Sequence, residues 1–205
     1  RAKGKLTLKK PARAITIRDL LTHTSGLPNT NSPRPESTLA ELVMSYSKTP
    51  LQFEPGSRWS YSNAGINVLG RIVEVVSDTP FADYLQARVL DPCDMKDTTF
   101  WPSPAQAKRI ATSYRPDSTG KLQRVEVYFL KGGLSNHKRT PYPAGGLYST
   151  AADVVAFYQM MVNGGTYKGK QVLQTKTAAL MIRTQTGEIK TGFVHGMSWG
   201  LGFQV

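Results

Sequence analysis

The stretch WSYSNAG, residues 59–65, stands immediately before a long helical pattern. In a short non-helical segment, residues i and i+2 point the same way, so we expect the Tyr61 phenol and the Asn63 amide to face one cavity. A phenol acts as a base at neutral pH only beside a cation that lowers its usual pKa of about 10 by about 3 units, or about 4 kcal/mol. An amide offers both a donor and an acceptor. Taken alone, a helix-capping turn is the more ordinary explanation of this triplet.

Other short motifs occur with this triplet in a fixed order. They are LTHTSGLP (21–28), FEPG (53–56), YSN (61–63), LG (69–70), MKDTTF (95–100) and PAGGLYST (143–150). Together they resemble the serine β-lactamase and penicillin-binding-protein superfamily, in its branch of class C β-lactamases, D-alanyl-D-alanine carboxypeptidases and esterases. Several blocks in the family's order, across residues 4–205, are a specific signal where one block would be weak.

The resemblance implies an α/β (α+β) fold, with an antiparallel sheet flanked by helices and a mostly helical lobe. At 205 residues the chain suits one domain. We expect residues 30–140 to form the helical lobe, and residues 1–29 and 141–205 to form parts of the α/β lobe. In the family, a longer stretch of sequence separates the motif found here at residues 4–8 from the motif found here at residues 15–17. In this chain only a few residues separate the two motifs, so we expect the chain to lack parts of the family domain.

The resemblance also implies acyl transfer without a cofactor or a metal. In the family, the Ser of an S-x-x-K helix attacks a carbonyl, and the Lys and the Y-x-N Tyr move the proton. A K-T-G or H-x-G strand then closes the site. On this chain the secure matches are Tyr61, as the partner of the base, and Asn63, as a ligand of the substrate or the Lys. We expect the nucleophile upstream of Arg1, and we expect Gly145 and Gly146 to let the backbone approach the substrate.

Four sites inside the chain contain fragments of the missing motifs. Ser45 and Lys48 have S-x-x-K spacing, but they lie at the C-terminal end of a predicted helix, where the negative end of the helix dipole opposes a developing oxyanion. Ser118 and Lys121 have the same spacing in a predicted turn. Lys190 opens a K-T-G that comes before, not after, the expected strand at 199–205, and His195-Gly196 is similarly early. We therefore rank all of them well below Tyr61 and Asn63.

Two classes of function stay open at this point. The intact protein is expected to be a serine acyl-hydrolase that cleaves an ester, a β-lactam or a D-Ala-D-Ala-type amide through an acyl-enzyme. The alternative is a catalytically inactive binding or scaffold protein that keeps the fold without the S-x-x-K nucleophile. The expected partner in the first case is a small-molecule or peptidoglycan-type substrate.

The distribution of charge along the sequence limits the classes of binding partner that we expect. The formal net charge is +12, but the basic residues are scattered apart from residues 1–13 and 131–139. Without a recognition motif or an aromatic ladder, this pattern favours a solvated basic surface, with loose attraction to an anionic cell envelope, over nucleic-acid binding. No signal peptide opens the chain, and no run approaches the about 20 apolar residues of a membrane span. We expect a periplasmic or secreted protein, while the cytoplasm and the oligomeric state stay open.

Local patterns predict most of the elements. Capping-box spacing at Thr16 and Thr38, and the Thr150–Asp153 pair, predict three helix starts. Further elements are predicted as helices at 64–76, 80–90, 104–109 and 174–182, and as strands at 122–130 and 199–205. We expect His23 to be a hydrogen-bonded structural residue, and His137 to be solvated.

Overall fold

The computed structural model describes residues 9–29, 36–127, 133–134 and 136–205. Within these ranges the elements, in chain order, are α1 (Ile17–Leu21), α2 (Leu39–Tyr46), α3 (Asn63–Ser77), α4 (Phe81–Leu85), a π-helical turn (Gln86–Leu90), α5 (Pro104–Ala107), β1 (Tyr114–Pro116), β2 (Leu122–Arg124), α6 (Ala151–Val162), β3 (Thr166–Tyr167), β4 (Lys170–Gln171) and α7 (Thr175–Met181). This mixture of helices and small antiparallel sheets agrees with the predicted class. None of the helices in these ranges has the length and apolar content needed to cross a bilayer. The motif at residues 4–8 lies outside the described residues.

Both predicted capping boxes are confirmed. In α1, the Asp19 carboxylate accepts a hydrogen bond from the Thr16 backbone N–H at 2.8 Å, and the Thr16 hydroxyl accepts one from the Asp19 N–H. Thr38 and Glu41 make the same pair of bonds at the start of α2. Each box satisfies donors that the first turn of a helix leaves unpaired, so local sequence fixes where these helices begin.

The central helix is α3, which packs against α1, α2 and α4. The sequence pattern predicts that its large apolar side chains form the buried face. The structure corrects this: the fully buried positions are Ala64, Gly65, Asn67 and Gly70, while Val76 is 81% exposed. Small residues are needed there because neighbouring chain segments approach the helix axis closely. A Cβ at Gly70 would lie 2.1 Å from Cγ of Pro143.

Two buried clusters lie on different parts of the chain. The first joins α2 to the start of α3 and to the segment before the glycine pair, through Leu39, Leu42, Tyr46, Ala64 and Tyr142. The second joins the π-helical turn to α6 and α7, and consists of Leu90, Cys93, Met95, Ala156, Met160, Met161 and Ala178. The predicted division into a helical lobe and an α/β lobe stays a prediction.

The two sheets are short hairpins. Tyr114 of β1 pairs with Arg124 of β2, and Thr166 of β3 pairs with Gln171 of β4. Only the first three residues of the strand predicted at 122–130 are extended and paired. Residues 125–127 lie outside any strand, and residues 128–130 lie outside the described part of the chain.

The strand predicted at residues 199–205 is wrong. Backbone hydrogen bonds join Ser198 and Val205 in both directions, at 2.8 and 3.0 Å, and the segment doubles back on itself. The left-handed Gly202, with φ of 81°, allows this reversal. At Gly200 the absence of a side chain lets a neighbouring backbone approach, because a Cβ there would lie 2.1 Å from the Met181 carbonyl oxygen.

The basic patch predicted at residues 131–139 is not entirely a solvated surface. Arg139 is only 1% exposed, and its guanidinium donates to the carbonyl of Phe100. Burial lowers the pKa of this guanidinium. His137 is exposed as predicted, although its imidazole also stacks on the Trp101 indole with 5.3 Å between ring centroids. Residues 131, 132 and 135 lie outside the described residues.

Candidate active site

The backbone on both sides of Tyr61 is held by one residue, His23. The Ser60 N–H donates to the His23 carbonyl oxygen at 2.9 Å. The Ser62 N–H donates to Nδ1 of the His23 imidazole at 3.1 Å. His23 therefore fixes the segment just before and just after the tyrosine.

A second set of polar contacts fixes the start of α3. The Ser62 hydroxyl accepts from the Gly65 N–H at 3.1 Å and donates to the Leu27 carbonyl at 2.9 Å. The Asn29 amide donates to the Tyr61 carbonyl at 2.9 Å and accepts from the Ala64 N–H at 3.2 Å. The N-terminus of α3, where Asn63 is the first residue, is thus capped by the adjacent Ser62 and by Asn29 from a distant part of the sequence.

Rings surround the Tyr61 phenol. Its ring centroid lies 4.5 Å from that of His23, 5.7 Å from that of Phe193 and 6.4 Å from that of Trp199. Trp59 packs on Phe193 and Trp199 at 5.6 and 5.4 Å. The indole N–H groups of both tryptophans are buried and have no hydrogen-bond partner among the described residues. The aromatic side chains around Tyr61 are therefore held in place by ring packing.

Burial sets the protonation state of His23. The side chain is 3% exposed, and desolvation lowers its pKa to about 4, although the bond from the Ser62 N–H acts in the opposite direction. The imidazole is neutral at pH 7, with its proton on Nε2 because Nδ1 accepts a hydrogen bond. The prediction that His23 is a hydrogen-bonded structural residue is confirmed.

A cavity of about 480 Å³ lies beside Tyr61. Tyr61, 40% exposed, and Ile66 contribute from the start of α3, and Tyr158 contributes from α6. His23 and the reversed segment at residues 199–204 complete most of the lining. Asn63 is half-buried, but it is not among the lining residues that the structure describes. The structure therefore places Tyr61 at the cavity. It does not place Asn63 among the described residues that line the cavity.

The predicted glycine pair lies next to the cavity in sequence. Pro143 and Ala144 line it, and Gly145 and Gly146 follow them as half-buried residues. Gly146 has φ of 118°, a backbone conformation that other residues rarely adopt, so this position requires glycine for its own geometry. Their role in binding substrate stays a prediction.

The buried amide of Asn67 ties this loop to α3. It accepts from the Ala144 N–H at 3.1 Å and donates to the Tyr46 hydroxyl at 3.0 Å. Asn67 is 4% exposed. The helix α3 thus follows directly on the Tyr61 segment, and its Asn67 also holds the Ala144 backbone at the cavity.

The alternative S-x-x-K pairs lie elsewhere. Ser45 is on the last turn of α2, where its hydroxyl donates to the Leu42 carbonyl at 2.6 Å, and Lys48 is exposed beyond the helix end. Ser118 and Lys121 are exposed in the turn between β1 and β2, where the Asp117 carboxylate accepts from the Lys121 N–H at 3.1 Å. None of these four is among the described residues that line the cavity beside Tyr61.

Lys190 is exposed and is also absent from the described lining of that cavity. The loop that follows it is nevertheless part of the site. The Thr191 hydroxyl donates to the Met197 carbonyl at 2.9 Å, which closes a loop whose Phe193 packs against Tyr61. The K-T-G sequence thus leads into a loop that contacts Tyr61. Lys190 itself is not among the described residues that line the cavity.

Sequence reasoning missed Phe193, Tyr158, Asn67 and Asn29. These residues contact parts of the site that are far from them in sequence. No hydrophobic periodicity or motif spacing in the sequence identifies them. The one available signal was the polar Asn67 on the otherwise apolar helix α3, because a buried amide needs hydrogen-bond partners.

The geometry presents a phenol to a bound substrate, but no lysine or arginine, the cation that a basic phenol needs, is among the described residues that line the cavity. A partly exposed phenol stands beside a cavity, its backbone is fixed on both sides, and its neighbours are mostly rings. Among the described residues, no group of three or more His, Cys, Asp or Glu side chains is placed to hold a metal ion.

Comparison with known proteins identifies the class of protein to which this site belongs. A family model described as Beta-lactamase matches residues 6–205. The chain belongs to the Beta-lactamase family.

Two curated relatives show how much of such a protein the chain represents. Protein Rv1367c of Mycobacterium tuberculosis is 37% identical over 199 residues, which cover 88% of this chain and 47% of the relative. Penicillin-binding protein 4 of Amycolatopsis lactamdurans is 30% identical over 196 residues, which cover 94% of this chain and 50% of the relative. The chain therefore spans about half the length of the curated relatives it matches.

Solved structures share the fold. The unliganded simvastatin synthase LovD of Aspergillus terreus matches with a TM-score of 0.74 at 22% identity, over 98% of this chain and 55% of that chain. The D-amino acid amidase of Ochrobactrum anthropi SV3 matches with a TM-score of 0.65 at 26% identity, over 93% of this chain and 54% of that chain. The match to about half of each neighbour agrees with a partial family domain.

Proposed function

We propose that the protein carrying this chain is a serine acyl-hydrolase that works through an acyl-enzyme, with Tyr61 as a proton-transfer group. The observation that carries the proposal is the placement of Tyr61. Its phenol is 40% exposed beside a cavity, while His23 and Asn29 fix the backbone around it. A side chain that only packed in the core would be covered, and one in a mobile loop would not be held so closely.

In the proposed reaction, a serine oxygen attacks the substrate carbonyl carbon, and its proton passes to a base formed by the S-x-x-K lysine and Tyr61. The tetrahedral intermediate collapses when the leaving oxygen or nitrogen takes up that proton. Water then attacks the carbonyl carbon of the acyl-enzyme and gives a proton to the same base. That proton passes to the serine oxygen as the acid leaves, which restores the serine. The serine and lysine are those of the S-x-x-K helix that the family resemblance places before Arg1, and Asn63 binds the substrate amide or that lysine.

The proposed substrates are an ester or a D-Ala-D-Ala-type amide, ranked above a β-lactam. Two of the similar proteins, a penicillin-binding protein and a D-amino acid amidase, support an acyl substrate. The ring-lined cavity beside Tyr61 suits a substrate with an apolar group next to the reacting carbonyl. A peptidoglycan-type substrate would also agree with a periplasmic or secreted location, which we include in the proposal.

Turnover by the full-length protein tests this proposal. We expect saturable hydrolysis of a p-nitrophenyl ester or release of D-Ala from a D-Ala-D-Ala peptide, and slower hydrolysis of a chromogenic cephalosporin. Activity that follows the protein through purification and is lost after fluorophosphonate treatment would support a serine enzyme. Failure of all three substrates, with a folded protein, would favour the scaffold alternative.

A further inference from the structure

We propose that His23 is a positioning residue for the Tyr61 phenol, acting through the hydrogen bond that its Nδ1 accepts from the Ser62 N–H. This inference rests on the proposed function, because it assigns His23 a role in the same reaction. His23 is not a catalytic residue in this account: it acts through the backbone of the Tyr61 segment.

The first step of the argument is the double contact. Ser60 and Ser62 flank Tyr61, and both of their N–H groups donate to His23, one to its carbonyl and one to its imidazole. The Ser62 bond holds the peptide plane that directly follows Tyr61, and the Ser60 bond holds the peptide plane before Ser60. The chain is thus anchored on both sides of Tyr61, which limits the directions of its Cα–Cβ bond and the region that the phenol can reach.

The second step is the backbone of His23 itself. Its φ is 59°, in the left-handed region that is unfavourable for a residue other than glycine. The residue follows directly on Thr22, the C-terminal cap of α1. A left-handed residue often ends a helix, but glycine or asparagine would do so at less cost. The unfavourable conformation is understandable if the imidazole is needed where it lies.

The third step is the surroundings of the ring. His23 is 3% exposed, and its ring contacts Tyr61 at 4.5 Å and Trp199 at 4.9 Å between centroids. It also lines the cavity beside Tyr61. The same side chain thus holds the Tyr61 backbone and packs against the Tyr61 ring, so loss of the acceptor frees the segment at the point where the proton is transferred.

The test compares two substitutions of nearly equal shape in the full-length protein. Asn tolerates the left-handed conformation, and its Oδ1 can accept from the Ser62 N–H, while Leu has a similar size and no acceptor. We expect His23→Leu to lower kcat by about 100-fold with KM nearly unchanged, because a displacement of about 1 Å is enough for such a loss. His23→Asn should retain kcat within a few-fold.

A stability control separates positioning from general destabilisation. Leu90→Ala removes a side chain that belongs to the second buried cluster and is not among the described residues lining the cavity, so it should lower Tm without lowering kcat. His23→Gln is a milder second variant, because its longer amide does not place an oxygen at the Nδ1 position, and it should lose kcat as His23→Leu does. Equal kcat losses in His23→Asn and His23→Leu, or losses that follow Tm across all four variants, would overturn the proposal.

A readout that does not need turnover keeps this inference separate from the proposed function. Both substitutions remove the imidazole ring that lies 4.5 Å from the Tyr61 ring, so both shift the Tyr61 ring resonances through the lost ring current. Beyond this shared shift, NMR of side-chain-labelled protein should show sharp Tyr61 resonances in His23→Asn and broadened or doubled ones in His23→Leu. A wild-type protein without any turnover would contradict the proposed function, and the ring resonances would still test the placement of Tyr61. Tyr61 resonances of equal position and line width in His23→Asn and His23→Leu would contradict the role of His23.

Discussion

The Tyr61 segment and the buried cluster around α6 are held together by different forces. Side-chain hydrogen bonds from His23 and Asn29 fix the Tyr61 segment, and the phenol remains partly exposed. The α6 cluster buries Met160 completely, among apolar neighbours that include Leu90. Apolar packing is tolerant of small changes in shape, whereas a hydrogen bond depends on single atoms and their protonation. We therefore expect substitutions in the first region to alter activity and those in the second to alter stability.

The largest effect is expected at Tyr61. Tyr61→Phe should lower kcat by about 10²- to 10⁴-fold, the usual range for a lost general base, because the ring remains but the hydroxyl does not. Its Tm should change little, since the ring contacts with His23 and Phe193 are kept. Ester hydrolysis and thermal unfolding of the same preparation give both numbers. A mutant with normal kcat and a lowered Tm would make Tyr61 a packing residue.

The opposite result is expected in the apolar cluster. Leu90→Ala should lower the free energy of unfolding by about 2–5 kcal/mol, because it removes a buried side chain and leaves a cavity. Activity per folded molecule should stay that of the wild type. Urea unfolding together with a titration of active sites measures the two quantities. A fall in activity per folded molecule would show that the two regions are coupled.

An acid-dependent loss of stability is expected from His23. Burial lowers its pKa from the ordinary 6.5 to about 4, so the unfolded chain binds a proton more readily between these values. The stabilising effect of the neutral imidazole is complete above pH 6.5 and falls away as pH drops to 4. The total loss is on the order of 3 kcal/mol. The other titratable groups among the described residues that line the cavity are Tyr61 and Tyr158.

Urea unfolding at pH 7, 5.5 and 4 isolates this contribution when the wild type is compared with His23→Asn. The asparagine variant should lose less stability than the wild type on acidification, because the group that titrates is gone. Parallel pH profiles for the two proteins would show that His23 does not titrate in this range.

The smallest effect is expected at Ser45. Ser45→Ala removes a hydroxyl that donates to the Leu42 carbonyl inside its own helix. The free energy of unfolding should therefore change by about 1 kcal/mol or less. Activity should not change, because Ser45 is not among the described residues at the cavity. Loss of ester hydrolysis in this variant would instead make Ser45 and Lys48 the active-site pair.

Local sequence predicted what local chemistry determines. The capping boxes at Thr16 and Thr38 and the extent of α3 depend on neighbours three or four residues away, and the structure has them where the sequence predicts. The motifs also predicted the Beta-lactamase family and its mixed fold. The reversed segment at residues 199–205 was mistaken for a strand, because alternating residues do not show whether a glycine turns the chain back.

The site was predictable only in part, for the same reason. Tyr61 was found from its motif, and it does line the cavity. The clamp by His23, the ring of Phe193 on Tyr61 and the bond from Asn67 to the Ala144 segment join parts of the chain 39 or more residues apart. Such contacts depend on the packing of α1, α2 and α3, which no spacing in the sequence encodes.

The most direct test of the central claim is to map the residue that a fluorophosphonate modifies in the full-length protein. We expect peptide mass spectrometry to find one phosphonylated serine in an S-x-x-K motif, other than Ser45 and Ser118, with labelling slowed at least 100-fold in Tyr61→Phe. The label should form at an unchanged rate in Ser45→Ala. Labelling of Ser45, or labelling at the wild-type rate in Tyr61→Phe, would contradict the account.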